Sequence, residues 1–131
     1  MTSRKPDTHE ERPTVRLHLW LEAGNGLGFG LGRAYLLERV DRFGSLRKAA
    51  EDMGMSYRAA WGKIRKSEEV LGIKLIVRIG SRKEGCQLTE VGRQLMESYL
   101  KWFEIVEREA VARAEEILPL AVRSFRERKP R

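Results

Sequence analysis

Residues 45–71 read SLRKAAEDMGMSYRAAWGKIRKSEEVL, and the rest of the chain is organised around this stretch. It predicts two short helices around a tight turn. Ala49 and Ala50 are small enough to let the second helix cross closely over the first, and Gly54 can adopt the positive φ that ends a helix. Ser56 is a natural N-cap for the second helix, because its hydroxyl can accept a hydrogen bond from a free backbone N–H. The pattern is typical of a helix-turn-helix, and a plain helical hairpin with a solvated basic face is the alternative.

The second helix of this stretch has an apolar side and a basic side. Ala60, Ile64 and Leu71 recur at helical spacing, which predicts that they face the core. In a helix-turn-helix the second helix enters the major groove of DNA and presents its N-terminal side chains to base edges. Trp61 borders the apolar side, so a structural role competes with a DNA contact for this residue. The predicted DNA-contacting residues of the two helices are Ser45, Ser56, Tyr57, Arg58, Trp61, Gly62, Arg65 and Lys66.

The composition favours an anionic partner. Lys and Arg total 26 against 19 acidic residues, which gives a net charge of +7 at pH 7 and suits nucleic acid or a membrane surface. No apolar run reaches the roughly 18 residues of a transmembrane span, and the N-terminus lacks a signal-peptide core. The single cysteine, Cys86, fits a reducing cytoplasm, and without a partner Cys or a close His cluster it predicts neither a disulfide nor a zinc site. We therefore expect a cytoplasmic protein without metal or cofactor.

The segment before the helix-turn-helix predicts a strand, a hairpin and a first helix. Residues 15–22 alternate between apolar and polar side chains, which is typical of a strand with one buried face. Trp20 on its outer face is expected to be covered by another element or by a second subunit. The glycines of residues 24–32 match neither the G-x-G-x-x-G nor the G-K-[ST] phosphate-binding pattern, so a turn at Asn25-Gly26 with a short return strand is favoured. Residues 32–43 then predict a helix that ends at Gly44.

The segment after the helix-turn-helix predicts a β-hairpin, which we call the wing. Residues 74–79 form a β-branched strand, residues 80–85 a turn and residues 86–88 a short return strand, with Arg82 and Lys83 at the tip. The stretch from Ser56 to Lys83 holds eight basic residues against two acidic ones, and so carries most of the net positive charge. A surface that served only for solubility would mix the two signs more evenly. We expect the wing to lie along the DNA backbone.

Residues 90–118 predict one long helix, capped by Thr89. At about 28 residues it would be about 42 Å long, which exceeds a domain of this size. Part of its apolar face is therefore expected to pack against a two-fold partner, although a helix folded wholly over its own core is the alternative. The residues expected at the subunit contact are Trp20, Tyr99, Trp102, Phe103, Val106 and Ala110.

These elements together predict a mostly α fold with a small β component. The expected architecture is a winged helix-turn-helix with a long C-terminal dimerisation helix. Residues 1–14 are expected to form a flexible arm, 15–89 the DNA-binding domain, 90–118 the dimerisation helix and 119–131 a basic, mobile tail.

The stretch GSLRKAAEDMGMSYRAAW, residues 44–61, closely resembles the N-terminal DNA-binding domain of the ModE family of molybdate-responsive regulators. The segments EEVLGIKLIVR, residues 68–78, and QLTEVG, residues 87–92, resemble the related domain of LysR-type regulators. The resemblance implies a winged helix-turn-helix that dimerises through the long helix. It also implies that the recognition helix and the wing contact DNA through Ser56, Tyr57, Arg58, Trp61, Arg82 and Lys83.

ModE regulators carry molybdate-binding domains after this unit, whereas the present sequence ends at Arg131. Molybdate is therefore not expected to bind this chain. We expect a sequence-specific transcriptional regulator that binds double-stranded DNA as a homodimer. An enzyme is not expected, because no set of carboxylate, histidine and nucleophile is visible. The remaining alternative is a protein-interaction adaptor built on a winged-helix fold without DNA binding.

Overall fold

The computed structural model describes residues 12–24, 26–80 and 85–125. Its helices are α1 (Leu31–Phe43), α2 (Leu46–Asp52), α3 (Tyr57–Leu71) and α4 (Glu90–Ile117), and its strands are β1 (Thr14–Val15), β2 (Leu21–Ala23), β3 (Gly26–Phe29), β4 (Ile76–Arg78), β5 (Cys86–Leu88) and β6 (Arg123–Ser124). The predicted mostly helical fold, with a small β component and a long C-terminal helix, is confirmed. Within the described ranges, no helix combines the length and the apolar character that a membrane span requires.

Two compact units make up the chain. Residues 19–101 form the first unit, and the described residues 12–18 and 102–125 form the second. The first unit therefore contains the helix-turn-helix and the wing. The division into an arm, a DNA-binding domain, a dimerisation helix and a tail stays a prediction.

The helix-turn-helix consists of α2 and α3 and is built as the sequence predicts. The hydroxyl of Ser45 accepts a hydrogen bond from the backbone N–H of Lys48 at 3.1 Å, and the hydroxyl of Ser56 accepts one from Ala59 at 3.0 Å. Gly54, in the turn, has a φ of 70°, which a side chain with a Cβ would strain. The two helices cross closely because small or apolar residues are fully buried between them and their neighbours, namely Ala49, Ala50, Ala60 and Ile64.

The glycine-rich segment forms a hairpin of β2 and β3, which pair in antiparallel fashion. β3 lies so close to α3 that a Cβ added at Gly28 would come within 2.7 Å of the side chain of Val70. The hydroxyl of Ser67, buried on α3, donates a hydrogen bond to the carbonyl of Gly28. Gly28 therefore allows the hairpin to pack closely on α3. The predicted hairpin is confirmed, although Asn25 of its turn lies outside the described residues.

The wing consists of β4 and β5, which pair antiparallel with Ile76 opposite Leu88. The carboxylate of Glu68 on α3 accepts hydrogen bonds from the backbone N–H groups of Leu75, at 2.8 Å, and Ile76, at 3.5 Å. The first turn of α4 also lies against this segment, because a Cβ added at Gly92 would stand 2.3 Å from the carbonyl oxygen of Leu75. The position of the wing strands is therefore fixed by α3 and α4.

The predicted single strand over residues 15–22 was wrong in extent. Only Thr14–Val15 and Leu21–Ala23 are strands, and they belong to different sheets. The side chains of residues 15–22 nevertheless alternate in exposure as predicted, with the even-numbered positions exposed. The alternation therefore correctly indicates an extended segment with one less exposed face. It does not indicate which strand the beginning or the end of this segment pairs with.

The second unit contains the first part of the predicted mobile tail, which proves to be ordered. β6 pairs in parallel with β1, with Thr14 opposite Arg123. The carboxylate of Glu115 accepts a hydrogen bond from the backbone N–H of Val122 at 2.6 Å, and Val122 is buried. The guanidinium of Arg16 lies 4.4 Å from the centre of the Phe125 ring. Residues 126–131 lie outside the described residues, so the prediction for them is untested.

Candidate nucleic-acid interface

The face of α3 opposite the core is basic and open. Ala60, Ile64, Ser67 and Val70 are buried on the core side. On the opposite side an exposed row runs along the helix at spacings of four, three and four residues, and it consists of Arg58, Gly62, Arg65 and, at its C-terminal end, Glu69. We call this row the α3 exposed face. Since nothing would lie within 4 Å of a Cβ at Gly62, a shallow gap separates the two arginines.

The arginines of the α3 exposed face have no acidic partner, unlike arginines elsewhere in the same unit. Arg39 on α1 forms ion pairs with Glu38 and Asp52, both at 2.9 Å. Arg93 on α4 lies 2.8 Å from the carboxylate of Asp41. By contrast, neither Arg58 nor Arg65 forms an ion pair with any residue in the described part of the chain. Their charges are therefore available to an external anion, such as a DNA phosphate.

Aromatic rings gather arginines from three elements beside the α3 exposed face. The rings of Tyr57 and Trp61 meet edge to face, with centroids 6.4 Å apart. The guanidinium carbon of Arg47, on α2, lies 4.5 Å from the centroid of the Tyr57 ring. Those of Arg65 and Arg78 lie 4.9 Å and 5.0 Å from the centroid of Trp61. We call these five residues the aromatic–arginine row.

The aromatic–arginine row contains two residues that sequence reasoning did not single out. Arg47 and Arg78 were counted only as part of the basic charge of the chain. For Arg47 the sequence did contain a signal, namely its position in the first turn of α2, two residues after the predicted N-cap Ser45. For Arg78 the sequence held no signal beyond its charge, because its contact with Trp61 depends on how β4 packs beside α3.

The other predicted DNA-contacting residues fall on or beside this surface. Ser45 and Ser56 use their hydroxyls as helix caps, and Ser56 remains exposed. Lys66 is exposed on the flank of α3, with its ammonium 3.5 Å from the carboxylate of Glu69. Arg82 and Lys83 lie outside the described residues. The structure thus places Arg58, Gly62 and Arg65 together on the α3 exposed face, with Ser56 at its start and the half-buried Tyr57 and Trp61 beside it, while a DNA contact by any of them stays a prediction.

The residues predicted for a subunit contact divide into exposed and buried ones. Trp20 and Trp102 have 39% and 40% of their surface exposed. Val106 and Ala110 are half-buried. Tyr99 and Phe103 are buried within their own chain, so we leave these two out of the surface that we propose below.

Tyr99 shows why one half of the α4 apolar stripe serves the chain's own core. Its hydroxyl donates a hydrogen bond to the carbonyl of Leu19 at 2.6 Å, and its ring meets Phe29 edge to face at 5.4 Å. Burial raises the pKa of Tyr99 to about 12. The hydroxyl therefore stays protonated and keeps donating this hydrogen bond throughout the ordinary pH range.

The described residues contain no cluster of metal-ligating side chains. No three side chains of the His, Cys, Asp and Glu types come together there in a way that could hold a metal. Cys86 is buried, and burial raises the pKa of its thiol, which disfavours the reactive thiolate. The exposed arginines on and beside α3 are thus the most distinctive chemical feature of the described chain.

Comparisons with known proteins point to the same part of the chain. The family model for the bacterial regulatory helix-turn-helix protein, lysR family, matches residues 31–93, from α1 to the first turn of α4. The chain is 33% identical over 81 residues to the molybdenum transport protein ModE of Azotobacter vinelandii, which covers 60% of this chain and 30% of that protein. It is 32% identical over 76 residues to the molybdenum-pterin-binding protein MopB of Rhodobacter capsulatus, which covers 56% of this chain and 28% of that protein.

These matches confirm the resemblance that the sequence motifs carry. The family model describes a regulatory DNA-binding domain and no enzyme. The chain spans less than a third of the length of the two curated relatives it matches. The residues that the family model matches contain the helix-turn-helix and the strands of the wing.

Proposed function

Because residues 31–93 match the regulatory helix-turn-helix of the lysR family, we propose that this chain is a transcriptional regulator that binds specific double-stranded DNA sites as a homodimer. The observation that carries the proposal is the α3 exposed face, where arginines without acidic partners flank an open glycine. A buried or neutralised α3 would suit a protein-interaction adaptor better. The cytoplasmic location and the absence of molybdate binding stay predictions.

We assign base reading to the N-terminal half of α3. Arg58 is the second residue of the helix and is exposed, which is where recognition helices present side chains to base edges. Its planar guanidinium suits two hydrogen bonds to O6 and N7 of guanine. Tyr57 is the next candidate, through contact with a thymine methyl group. Arg65 and Lys66, farther along the helix, are assigned to phosphates and so to affinity rather than specificity.

We propose that α4 holds two copies of the chain together. Its 28 residues make it about 42 Å long, and its exposed side carries large apolar residues, including Trp102 and Ile105. Exposed apolar groups on one helix favour a symmetric partner, because each copy then covers the same surface of the other. A two-fold axis would present the two α3 helices to successive major grooves, about 34 Å apart.

Replacing Arg58 with alanine tests the base-reading role. We expect the change to cost about 1–3 kcal/mol of binding free energy on the preferred site and to relax the preference at one base pair per half-site. Dissociation constants for the preferred and for a random duplex, measured by fluorescence anisotropy, give the answer. Arg42→Ala is the matched control, because Arg42 is an exposed arginine on α1 that lies near Glu38. Equal weakening on both duplexes would make Arg58 a phosphate contact and contradict the assignment.

Replacing both Arg82 and Lys83 with alanine tests the wing. If both side chains contact phosphates, the double variant should bind every duplex more weakly by a similar factor. The slope of log affinity against log salt concentration should fall by roughly 2, which is one for each lost phosphate contact. An unchanged slope would remove Arg82 and Lys83 from the interface.

A further inference from the structure

The wing begins at a backbone segment that is held by residues of two helices at once. The carboxylate of Glu68, on α3, accepts hydrogen bonds from the backbone N–H groups of Leu75, at 2.8 Å, and Ile76, at 3.5 Å. The hydroxyl of Thr89, the residue before α4, donates to the backbone carbonyl of Lys74 at 2.6 Å. The backbone N–H of Thr89 donates to the carbonyl of Leu75 at 2.9 Å. We call residues 74–76, together with Glu68 and Thr89, the α3–α4 junction.

The first turn of α4 packs directly on the backbone of the α3–α4 junction. A Cβ added at Gly92 would stand 2.3 Å from the carbonyl oxygen of Leu75, so the helix can come this close only with glycine at that position. The backbone N–H of Gly92 donates to the hydroxyl of Thr89 at 2.9 Å, which makes Thr89 the N-cap of α4 as well. Leu75 is fully buried and Glu68 is half-buried. Because hydrogen bonds to a carboxylate are stronger than those between neutral groups, the junction is a firm connection between α3 and α4.

The α3–α4 junction connects the helix that we propose to read DNA with the helix that we propose to hold the dimer together. α4 is one unbroken helix from Glu90 to Ile117, and its exposed Trp102 and Ile105 lie about three to four turns beyond its first residue. A helix without proline rarely bends sharply, so its first turn and its later turns keep one direction. In a homodimer joined through α4, the direction of each α3 therefore depends on the angle between α3 and α4 within its own chain.

Two other contacts hold the N-terminal part of α4, and both of them reach elements other than α3. Arg93 forms an ion pair with Asp41 of α1 at 2.8 Å, but both side chains are more than a third exposed, and exposed ion pairs contribute little. The hydroxyl of Tyr99 donates to the carbonyl of Leu19, and its ring meets Phe29. One anchor at Tyr99 would allow α4 to swing about that point. The junction supplies a second anchor about 10 Å away along the helix, and two anchors fix a direction.

We propose that Glu68 and Thr89 are positioning residues that fix the angle between α3 and α4, and thereby set the half-site spacing that the homodimer accepts. The proposal rests on the proposed function, because it requires two copies of the chain on one DNA site. A stiff connection of the right span gives the second α3 its highest effective concentration at one spacing, whereas a loose connection spreads the binding over several spacings. Discrimination between spacings is therefore the property that the junction governs.

Substitutions at Glu68 test the α3 side of the junction. Affinity of the whole chain is measured on a two-fold site selected from random duplex, and on the same site with two base pairs inserted at its centre. The insertion turns one half-site by about 70° and moves it by about 7 Å relative to the other. The wild type should bind the widened site at least about tenfold more weakly, whereas Glu68→Ala should lose about threefold or less. Glu68→Gln should recover most of the wild-type discrimination, because its amide oxygen can still accept from the backbone.

Glu69→Ala is the matched control for Glu68→Ala. It removes the same charge from the adjacent position of α3, where the carboxylate lies 3.5 Å from the ammonium of Lys66. Any general gain in affinity from the loss of a negative charge near DNA should therefore appear in both variants. We expect Glu69→Ala to discriminate between the two spacings as strongly as the wild type. Equal discrimination in Glu68→Ala and Glu69→Ala would overturn the proposal for Glu68.

Substitutions at Thr89 separate the junction from the capping of α4. Thr89→Asp keeps a good N-cap, because its carboxylate accepts from the backbone N–H of Gly92, but it cannot donate to the carbonyl of Lys74. It should therefore reduce the discrimination between spacings as Glu68→Ala does. Thr89→Ser keeps the hydroxyl and should discriminate like the wild type. Full discrimination in Thr89→Asp would make Thr89 a helix cap only and would overturn its positioning role.

A duplex with a single half-site distinguishes the α3–α4 junction from a role confined to the wing. If Glu68 only positioned the wing, Glu68→Ala would weaken binding to the single half-site and to both two-fold sites by one common factor, and that result would contradict the proposal. Faster hydrogen exchange at the amide of Leu75, with α3 still protected, would show that the variant is folded and the junction open. If Glu68→Ala does not fold, Thr89→Asp and Thr89→Ser decide the proposal. A wild-type chain that binds no duplex, or binds only as one copy, contradicts the proposed function instead.

Discussion

Replacing Gly62 with leucine is expected to abolish site-specific DNA binding while making the fold more stable. Gly62 lies in the middle of the α3 exposed face, and apart from its chain neighbours and the helix's own backbone no atom stands within 4 Å of the place where a Cβ would be. Its φ is not positive, so a side chain introduces no backbone strain. Leucine favours a helix over glycine by about 0.5–1 kcal/mol, which should raise the free energy of unfolding in urea.

The loss of binding has a steric cause. A leucine side chain between Arg58 and Arg65 would hold α3 away from the floor of the major groove, so contacts with base edges would be lost while the outer phosphate contacts would survive. Affinity for the preferred site should fall by about two orders of magnitude, toward the affinity for random duplex. Gly32→Leu is the matched control, because Gly32 is an exposed glycine of α1 with equally open surroundings. Wild-type affinity in Gly62→Leu would show that this face does not enter the groove.

Replacing Trp102 and Ile105 with glutamate is expected to dissociate the proposed homodimer. Both residues are exposed on α4, at 40% and 47%, so the substitutions should leave the fold of the single chain intact. In a symmetric interface each glutamate would be buried near its own symmetry mate, and such unpaired buried charges cost several kcal/mol. The double variant should sediment near the 15.1 kDa mass of one chain at micromolar concentration, where the wild type should show twice that mass.

DNA binding should report the same dissociation. A monomer contacts one half-site only, so affinity for a two-fold symmetric site should fall by at least two orders of magnitude, whereas affinity for random duplex should fall much less. Phe43→Glu provides the control, because it places a glutamate at an exposed apolar position of α1 instead of α4. A wild-type mass of one chain, or a double variant that remains dimeric, would contradict the proposed interface.

Local signals made the helices predictable. Gly44 and Gly72 end α1 and α3 with φ values of 65° and 70°, and Ser45 and Ser56 begin α2 and α3 as N-caps. Each of these signals acts within one helical turn, so the neighbouring residues in the sequence are enough to predict where a helix begins or ends. The predicted ends of all four helices consequently fall close to the observed ones.

Long-range pairing was not predictable in the same way. β1 pairs with β6, so the two partners stand at opposite ends of the chain. The alternation of residues 15–22 indicated an extended segment, but no local sequence pattern identifies a pairing strand that is distant in the chain. The apolar stripe of α4 had the same limitation, because helical spacing marked Tyr99 and Trp102 alike as apolar positions. Only the packing of the folded chain shows that the ring of Tyr99 contacts Phe29 whereas the ring of Trp102 is exposed.

The candidate interface was predictable where it depends on the helix alone. Arg58, Gly62 and Arg65 follow from helical spacing, because an apolar side fixes which residues face outward. The contact between Trp61 and Arg78 depends instead on how β4 packs beside α3, which no sequence pattern specifies. The same holds for Glu68, whose carboxylate binds the backbone at the start of the wing and has no signature in sequence.

Selection of bound fragments from a pool of random duplex DNA, followed by a salt titration on the enriched fragment, tests whether this chain is a site-specific DNA-binding regulator. We expect an enriched inverted repeat whose half-sites are centred about one helical turn apart, or a whole number of turns. Two chains should bind each duplex, and affinity should fall steeply as salt concentration rises. If the chain enriches no sequence and binds no duplex at micromolar concentration even in low salt, it is not a DNA-binding regulator.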